Sequence, residues 1–293
     1  MQEGDRVTRV LVTGAEGQLG SRLVELGARR KTLRIVGLDQ TDLDITNPSS
    51  IQKALSRYTP DVVVNAAAYT SVDLAESEQE CAFAVNGLGV KHLAEACRQN
   101  QGALIHVSTD YVFGEVERVP LCPSELTDPL GVYGASKLEG EEAFLASGVQ
   151  GTVVRVAWLY DARGSNFLTT MLRLADKHGR LKVVNDQHGV PTSAPALAEA
   201  LLDLAECGQD MPQGIRHYAH AGHTTWHGFA SAILGHAGLD VPVEAVTSDA
   251  FPTAATRPAW SVLDGAPLHQ EMGWAFESWQ NALAACWKLR EEG

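Results

Sequence analysis

The first half of the chain alternates short aliphatic and β-branched runs with longer amphipathic stretches, and this order restricts the fold more than any other feature. The short runs are predicted to be strands at residues 9–13, 34–38, 61–64, 103–107 and 152–156. The amphipathic stretches are predicted to be helices at residues 18–28, 48–58, 78–99 and 132–146. Strands and helices in this order form a doubly wound parallel α/β sheet, whose ligands bind beyond the carboxyl ends of the strands.

A glycine-rich segment follows the first predicted strand, where the first helix begins. It reads Gly14-Ala15-Glu16-Gly17-Gln18-Leu19-Gly20 and has the spacing G-x-x-G-x-x-G. Glycines let the backbone approach a diphosphate closely, and the start of a helix supplies unpaired N–H groups and a favourable dipole. The segment alone also fits a tight turn with no ligand. With the features below, it predicts that Gly14, Gly17, Gln18, Leu19 and Gly20 contact a dinucleotide.

A carboxylate ends the second predicted strand, where it can accept hydrogen bonds from an adenosine ribose. Asp39 stands 19 residues after Gly20. A carboxylate here repels a 2′-phosphate and favours NADH, but Arg34 or a mobile loop can offset that effect, so NADH and NADPH both stay open as cofactors. Asp44 and Ile45 are predicted to border the adenine, and Asp44 can equally cap the next helix.

Tyr133 and Lys137 form a Tyr-x-x-x-Lys pair in the helix predicted at 132–146, and this spacing places both side chains on one helix face. A ketone reduced by hydride needs a proton on its oxygen. A phenol, with an ordinary pKa of about 10, can donate that proton at neutral pH when a cation lies beside it. Such a pair also arises by chance on surface helices. The segment Ser108-Thr109-Asp110 directly follows the fourth strand and adds a hydroxyl for the carbonyl oxygen, so the set indicates ketone reduction.

The second half has a looser pattern of shorter elements, namely a helix at 194–207, a strand at 216–219 and a helix at 226–237. This change predicts a dinucleotide-binding domain at 1–165 and a smaller C-terminal substrate-binding lobe at 166–293. Elements near 183–222 can rejoin the main sheet.

The bulk composition argues against several partners. The chain has 23 basic and 36 acidic residues, a formal net charge of −13, and no run of Lys or Arg that could follow a phosphate backbone. Neither nucleic acid nor an anionic membrane is therefore expected. Residues 1–8 are polar and lack the apolar core of a signal peptide, which predicts a cytoplasmic protein. The five cysteines are scattered, so reduced thiols are expected.

Further segments extend this pattern along nearly the whole chain. They include residues 65–73 (Asn-Ala-Ala-Ala-Tyr-Thr-Ser-Val-Asp), 108–113, 133–141, 155–160, Asn166-Phe167 with 170–174, 186–192, and Arg257-Pro258 with Ser261 and Leu263-Asp264. Together with the glycine-rich loop, they resemble the extended short-chain dehydrogenase/reductase family, whose sheet is of Rossmann type. The likeness is closest to its dTDP-4-dehydrorhamnose reductase branch.

The resemblance implies a role for each matching residue. Thr109, Tyr133 and Lys137 would be the catalytic trio, and the cofactor would be held by Tyr133 and Lys137 together with Ala66, Ala67 and Ala68. The deoxysugar would be bordered by Thr70, Val72, Thr109, Asp110, Tyr111 and Trp158, and the nucleotide part of a dTDP-sugar by Gln187 and Arg257. From the residues alone, Trp158 fits a core aromatic equally well, and Arg257 can instead form a surface salt bridge. A homodimer is left open.

The expected activity is NAD(P)H-dependent reduction of the C4 ketone of a dTDP-4-keto-6-deoxysugar, most directly dTDP-4-dehydro-L-rhamnose to dTDP-L-rhamnose. One alternative is a non-catalytic NADP-binding subunit resembling the regulatory β subunit of methionine adenosyltransferase, although an intact trio argues against it. Another is a nucleotide-sugar epimerase or dehydratase. These enzymes need an additional acid or base, which the Thr109-Asp110 pair leaves open.

Two departures from the branch concern the sugar. Its members usually continue Tyr-Val-Phe with Asp-Gly and an acidic-aromatic loop, whereas residues 114–118 here read Gly-Glu-Val-Glu-Arg, in a loop expected to lie close to the substrate. Ala157 also precedes Trp158 where the branch usually has serine. The sugar can therefore be another 4-keto-6-deoxysugar, with the chemistry unchanged.

Four histidines, His217, His220, His223 and His227, have short spacings that suggest a metal site. His217 and His220 are predicted on opposite faces of a strand, while His223 and His227 flank the expected Thr224 cap of the next helix. The four are not expected to converge. No metal is predicted, since Tyr, Lys and a hydroxyl suffice for ketone reduction with a nicotinamide.

Overall fold

The computed structural model describes residues 7–291. Its strands, numbered in chain order, are β1 Thr8–Thr13, β2 Leu33–Leu38, β3 Val62–Asn65, β4 Ala103–Thr109, β5 Gly151–Val156, β6 Leu159–Tyr160, β7 Leu181–Val184, β8 His188–Gly189, β9 Thr192–Ser193, β10 Gly214–His217, β11 Thr224–Thr225 and β12 Val243–Val246. Its helices are α1 Gln18–Gly27, α2 Pro48–Tyr58, α3 Val72–Ala75, α4 Gln79–Phe83, α5 Gly89–Gln99, α6 Val132–Ser147, α7 Phe167–His178, α8 Ala194–Cys207, α9 Trp226–His236, α10 Ala266–Met272 and α11 Trp279–Glu291.

Six strands form one parallel sheet in the order β10-β5-β4-β3-β1-β2. Because β1 lies between β2 and β3, the chain winds outward in both directions from this point. In such sheets the crevice for a ligand opens beyond the carboxyl ends of the strands where the winding reverses. The predicted doubly wound parallel sheet is therefore confirmed.

Side chains of the central strands alternate between the two faces of the sheet. Val10, Val12 and Val62 are fully or almost fully buried beside α1 and α8, whereas Leu11 and Val63 are buried beside α2, α5 and α6. Both faces are covered, which explains why these strands read as continuous apolar runs in the sequence.

Two elements of the second half lie with this sheet. Leu197 and Leu201 of α8 share an apolar core with Leu23 of α1, and β10 pairs with β5 at the sheet edge. A buried ion pair between Arg22 of α1 and Asp161, 2.6 Å from Nε to Oδ2, joins α1 to the segment after β6 within the predicted first domain. The division near residue 165 stays a prediction, and α8 and β10 lie among the elements near 183–222 that the sequence allowed to rejoin the main sheet.

A second apolar core gathers the other elements of the later half. It joins residues of α7, α9 and α11 with residues that follow β4 and β5, namely Phe113 and Tyr160. This core therefore lies beyond the carboxyl ends of those strands, where it can form one wall of a ligand site.

Local differences from the sequence prediction have physical causes. The helix predicted at 78–99 is divided into α4, a π-helical segment at Ala84–Leu88, and α5. Asn86 in the π-helical segment is buried, and its amide contacts the Tyr69 N–H at 2.9 Å, the Tyr69 carbonyl at 3.0 Å and the Ser136 hydroxyl at 3.0 Å. The widened turn thus ties the loop after β3 to α6.

Three sequence expectations concern membrane-spanning segments, the start of the chain and the cysteines. Between residues 7 and 291, no helix is long and apolar enough to cross a membrane. The expectation for residues 1–8 falls largely outside the described residues, and the five cysteines are all free thiols.

Candidate active site

A cavity of about 500 Å³ opens at the carboxyl ends of the sheet strands. Its lining includes most of the residues predicted for cofactor and sugar, namely Gly17, Gln18, Leu19, Ala66, Ala67, Ala68, Thr70, Val72, Thr109, Asp110, Tyr111, Tyr133, Lys137 and Trp158. We call this space the first cavity. The fold brings these residues together from segments that lie up to 141 positions apart in the chain.

The glycine-rich loop is packed so closely that only glycine fits at two of its positions. A Cβ atom on Gly20 would lie 2.1 Å from the Gly14 carbonyl oxygen. Gly14 has a φ of +62°, and a Cβ atom on it would clash with the backbone of Ala67. The first N–H groups of α1, which begins at Gln18, have no partner within the helix. The loop can therefore hold an anionic diphosphate at a helix start, as a dinucleotide requires.

The adenosine side of the predicted cofactor site lies outside the lining of the first cavity. Asp39 directly follows β2, and hydrogen bonds from the Thr41 hydroxyl and the Asp42 N–H hold its pKa below the ordinary value. It is therefore an ionised acceptor. Arg34, which the sequence left open as a counter-charge to Asp39, is exposed at the opposite end of the same strand, opposite Arg9 of β1, so it does not offset that charge.

Asp44 does not cap α2. Its Oδ1 accepts hydrogen bonds from the N–H and hydroxyl of Thr46, whereas Asn47 accepts the N–H groups at the helix start. The capping alternative is thus wrong, since the true cap lies three residues later. Ile45 is 4% exposed and belongs to the apolar core beside α2 and α5, so little of its surface is open to an adenine ring.

Lys137 lies one turn after Tyr133 on α6 and is almost completely buried. Its Nζ donates to the Val107 carbonyl oxygen at 2.7 Å. Burial lowers the pKa of Lys137 to about 8, and the Glu141 carboxylate one turn further along opposes that shift. At neutral pH the side chain therefore stays mostly protonated.

The hydroxyl groups of Tyr133 and Thr109 face the same space. Burial raises the pKa of Tyr133 to about 12, and a hydrogen bond with the Thr109 hydroxyl opposes the rise. Thr109 Oγ1 also lies 3.1 Å from Asp110 Oδ1 and accepts the Tyr111 N–H at 3.2 Å. The rings of Tyr111 and Tyr133 pack edge to face with their centres 5.5 Å apart, and this contact restrains the orientation of the Tyr133 ring.

Asp110 is a buried carboxyl, 2% exposed, on the wall of the first cavity. Burial raises its pKa to about 6, although the Thr109 hydroxyl opposes the rise. The Ser261 hydroxyl lies nearby but donates to the His188 carbonyl, and Asp110 Oδ2 has no hydrogen-bond partner among residues 7–291. An acceptor left free in this way suits a ligand hydroxyl.

Trp158 follows β5 and is half-buried in the first cavity. Its φ of +49° is uncommon for a bulky residue and turns the indole across Gly189, where a Cβ atom would lie 2.5 Å from the ring. The indole stacks on Trp226 with ring centres 3.6 Å apart and planes at 10°. Trp158 therefore combines aromatic packing on one side with an opening to the cavity.

A second cavity of about 550 Å³ adjoins the first, and Phe167 and Trp226 line both. Gln187 and Arg257 line this second cavity, as predicted for the nucleotide side. The Gln187 amide bridges the Trp226 indole at 3.2 Å and the Ser248 hydroxyl at 2.9 Å. Phe167, Trp226 and Gln187 thus form the wall between the first and second cavities.

Arg257 forms the salt bridge that the sequence left open as an alternative. Its Nη2 lies 2.8 Å from Asp73 Oδ2, and its guanidinium lies 5.9 Å from the centre of the Tyr111 ring. Its Nη1 is buried and has no partner among the described residues. Arg257 can therefore still offer an N–H group to an anion in the second cavity.

Phe167 and Trp226, which line both cavities, were not assigned a role in the site from the sequence. Each is the first residue of a helix, directly after the caps Asn166 and Thr225. The expected Thr224 cap is therefore wrong by one residue, because the Thr225 hydroxyl accepts the Gly228 N–H. An aromatic residue beside a polar cap was the available signal, but it does not reveal which cavity the ring enters.

The four histidines contact different partners. His217 contacts the Leu121 carbonyl at 2.9 Å, His227 contacts the Val243 carbonyl at 3.1 Å, His220 packs on Tyr218, and His223 packs on Trp260. Within residues 7–291, no group of three or more His, Cys, Asp or Glu side chains is arranged to hold a metal ion.

The divergent loop at residues 114–118 contributes no lining residue to either cavity. The expectation that it lies close to the substrate stays a prediction. A Cβ atom on Gly114 would lie 2.2 Å from the Asp128 carbonyl oxygen, so the start of the loop packs closely against the chain before α6.

Comparisons with known proteins agree with this architecture. Residues 8–291 match the protein family described as RmlD substrate binding domain. The chain is 40% identical over 286 residues to a dTDP-4-dehydrorhamnose reductase of Aggregatibacter actinomycetemcomitans, covering 94% of this chain and 97% of that protein.

Solved structures give the same result. A dTDP-4-dehydrorhamnose reductase of Clostridium acetobutylicum is 36% identical with a TM-score of 0.91, covering 97% of this chain and 99% of that one. A dTDP-4-dehydrorhamnose reductase of Bacillus anthracis in complex with NADP is 33% identical with a TM-score of 0.89, covering 95% of this chain and 98% of that one. The chain is an NAD(P)H-dependent oxidoreductase and belongs to the family described as RmlD substrate binding domain.

Proposed function

We propose that this protein reduces the C4 ketone of a dTDP-4-dehydro-6-deoxyhexose, with dTDP-4-dehydro-L-rhamnose as the substrate and NADPH or NADH as the hydride donor. The observation that carries the proposal is that Thr109, Tyr133 and Lys137 line one cavity together with the glycine-rich loop. Similarity over nearly the full chain to proteins named dTDP-4-dehydrorhamnose reductase supports the same substrate.

Tyr133 is the proton donor in this proposal. Bound NADPH or NADH supplies the hydride for C4, and the phenol of Tyr133 gives its proton to the oxygen on C4, so that the ketone becomes an alcohol. The transfer leaves a phenolate, which the buried surroundings disfavour because they raise the Tyr133 pKa to about 12. The ammonium group of Lys137, one helical turn away, stabilises the phenolate and therefore makes the donation feasible.

Thr109 assists by donating a hydrogen bond to the same oxygen. Its hydroxyl lies within reach of Tyr133 and donates to Asp110 Oδ1, 3.1 Å away. A ketone placed against Tyr133 can take that hydrogen bond instead. The carboxyl group of Asp110 then has both oxygens available for the sugar hydroxyls.

The nucleotide half of the substrate occupies the second cavity in this proposal. The two cavities share Phe167 and Trp226, so one extended molecule can place its sugar in the first and its nucleotide in the second. Arg257 supplies a positive charge there, although the chain as a whole carries a formal charge of −13. Local recognition by this guanidinium is therefore essential for a dianionic diphosphate.

Two alternatives make different demands on the site and on the cofactor. A regulatory subunit without catalysis has no need of Thr109, Tyr133 and Lys137 in one cavity. An epimerase or dehydratase needs another acid or base, and the raised pKa of Asp110, about 6, makes this residue the candidate. Such enzymes regenerate their cofactor, whereas a reductase consumes one NAD(P)H for each alcohol formed.

The test is to follow NADH and NADPH oxidation in parallel with enzymatically generated dTDP-4-dehydro-L-rhamnose. One reduced cofactor consumed for each dTDP-6-deoxyhexose formed is the expected result. Formation of a new sugar nucleotide without net oxidation would favour the epimerase or dehydratase. Tight cofactor binding without any turnover would refute the reductase.

A further inference from the structure

The short helix α3 has contacts with the walls of both cavities. Its first residue, Val72, lines the first cavity. Asp73 contacts Ala255 and Arg257, which both line the second cavity. Glu76 directly follows the helix and contacts the start of α6. The segment that carries the anion-binding arginine and the helix that carries the proton donor therefore meet at one short helix.

Asp73 holds one wall of the second cavity by two hydrogen bonds. Its Oδ1 accepts the Ala255 N–H at 3.1 Å, and its Oδ2 accepts a hydrogen bond from Arg257 Nη2 at 2.8 Å. One carboxylate thus fixes both the backbone and the guanidinium of this segment. Arg257 Nη1 is buried and has no partner between residues 7 and 291, so this nitrogen remains to donate to an anion.

The charge of Asp73 by itself would oppose the binding of a diphosphate. The whole chain already carries a formal charge of −13. A carboxylate 2.8 Å from the arginine that receives the diphosphate adds a further repulsion between like charges. Any benefit for binding must therefore come from geometry. An arginine side chain has many rotamers, and the pair with Asp73 selects one of them.

Glu76 supplies the cap that α6 lacks. Gly131 occupies the cap position of α6 and has no side chain to accept the first N–H groups of the helix. Glu76 Oε1 accepts the Val132 N–H at 2.9 Å, and a Cβ atom on Gly131 would lie 2.6 Å from the same oxygen. The helix dipole also favours a carboxylate at this end. Glu76 therefore holds the turn that carries Tyr133, the residue after Val132.

A single aromatic ring separates the two groups that α3 holds. The Arg257 guanidinium lies 5.9 Å from the centre of the Tyr111 ring, and that ring packs edge to face on Tyr133 with the ring centres 5.5 Å apart. One sugar nucleotide can therefore reach from Arg257 to Tyr133. A small displacement of either group would misplace the ketone against the phenol.

We propose that Asp73 and Glu76 are positioning residues for ketone reduction. Asp73 directs Arg257 towards the substrate diphosphate, whereas Glu76 fixes the start of α6 and with it the phenol of Tyr133. The inference rests on the proposed function, because the groups to be placed are the diphosphate and the ketone of one sugar nucleotide. Since α3 is a single rigid turn, it sets the distance between the guanidinium and the phenol.

Asp73→Asn separates the effect of charge from that of position. The amide removes the negative charge and keeps only one of the two acceptor oxygens. Charge alone predicts tighter binding of dTDP. We expect weaker binding instead: Kd for dTDP, measured by calorimetry, and KM for the sugar nucleotide should both rise about tenfold, with kcat within about twofold of wild type. Unchanged or tighter dTDP binding would overturn the role of Asp73.

Asp61→Asn is the matched control for this experiment. Asp61 forms another ion pair, with Arg9 at 3.0 Å, and lies at the amino end of β3, away from the linings of both cavities. The variant removes the same charge from the same kind of pair. Kd for dTDP and KM for the sugar nucleotide should therefore stay within about twofold of wild type. An equal loss in Asp61→Asn and Asp73→Asn would reduce the effect of Asp73 to a general one.

Glu76→Gln and Glu76→Met separate hydrogen bonding from packing. Glutamine keeps an oxygen that can accept the Val132 N–H, whereas methionine has a similar length and no such acceptor. We expect Glu76→Gln to keep kcat within about threefold and Glu76→Met to lose about tenfold, with Kd for dTDP within about twofold in both. Equal kcat values in the two variants, or a rise in Kd that matches the fall in kcat, would leave Glu76 a purely structural role.

Hydrogen exchange of the Val132 N–H separates this inference from the proposed activity. Exchange should be about tenfold faster in Glu76→Met and nearly unchanged in Glu76→Gln. Equal exchange rates in the two variants would refute the cap. The expected exchange rates and dTDP affinities in a protein that does not reduce the ketone would support both contacts and refute only the proposed function.

Discussion

Replacing Asp110 by asparagine should make the ligand-free protein more stable near neutral pH and impair turnover. The carboxyl group is 2% exposed, and its Oδ2 has no partner among the described residues. An ionised carboxylate in that position is unfavourable, and a neutral amide of similar size avoids this penalty. The substrate loses a charged acceptor at the same time, so KM for the sugar nucleotide should rise about tenfold or more.

The size of this stabilisation follows from the pKa of the Asp110 carboxyl in the unfolded and in the folded protein. The carboxyl titrates at 3.8 when unfolded and at about 6 when folded, and a difference of this size corresponds to about 3 kcal/mol at about 1.4 kcal/mol per pH unit. The folded pKa is raised, so the group destabilises the fold fully above pH 6, and the effect fades as pH falls toward 3.8. Relative to wild type, Asp110→Asn should gain about 3 kcal/mol at pH 8 and about 1.4 kcal/mol less than that at pH 5.

Urea unfolding of both proteins at pH 5 and pH 8 measures this difference. Asp161→Asn is the control, because Asp161 is also buried but is paired with Arg22 at 2.6 Å. That variant should lose about 3 kcal/mol, since the buried Arg22 guanidinium loses its charged partner at Nε and Nη2 and keeps only the Glu25 carboxylate, 3.1 Å from Nη1. A less stable Asp110→Asn protein at pH 8, or a stability difference that does not change between pH 5 and pH 8, would show that the Asp110 carboxylate is compensated by partners.

Three further substitutions test separate parts of the site. Tyr133→Phe should lower kcat about a hundredfold or more while the dissociation constant of NADPH, measured by fluorescence, stays nearly unchanged; substantial residual turnover would exclude Tyr133 as the proton donor. Asp39→Asn should raise kcat/KM for NADPH relative to NADH about tenfold, and an unchanged ratio would place the ribose away from Asp39. Stacked Trp158 and Trp226 should give an exciton-coupled pair of circular dichroism bands that Trp226→Phe removes, and bands that persist in this variant would contradict the stacking.

Much of the scaffold could be predicted because local periodicity determines it. The bounds of α2 and α8 agree with the prediction, and each of the five predicted strands of the first half is present with small shifts at its ends. The cavity also contains the expected Tyr133, Lys137 and Thr109, because parallel strands carry the residues after their carboxyl ends to one edge.

Features that depend on contacts distant in sequence could not be predicted. The stack of Trp158 on Trp226 joins residues 68 positions apart, and no spacing rule relates them. The unusual φ of Trp158 is likewise invisible, because the packing over Gly189 imposes it. Asn47 and Thr225, rather than Asp44 and Thr224, cap their helices, since neighbouring polar residues compete and only the geometry decides between them.

The return of α8 and β10 to the main sheet has a consequence for any attempt to divide this protein. A fragment ending near residue 165 would lack α8, so the sheet face that carries Val10, Val12 and Val62 would be open to solvent. It would also lack β10, so β5 would become an unpaired edge strand. Exposed apolar faces and free edges promote self-association. Such a fragment should therefore accumulate as aggregates, and the two halves of the chain should unfold together.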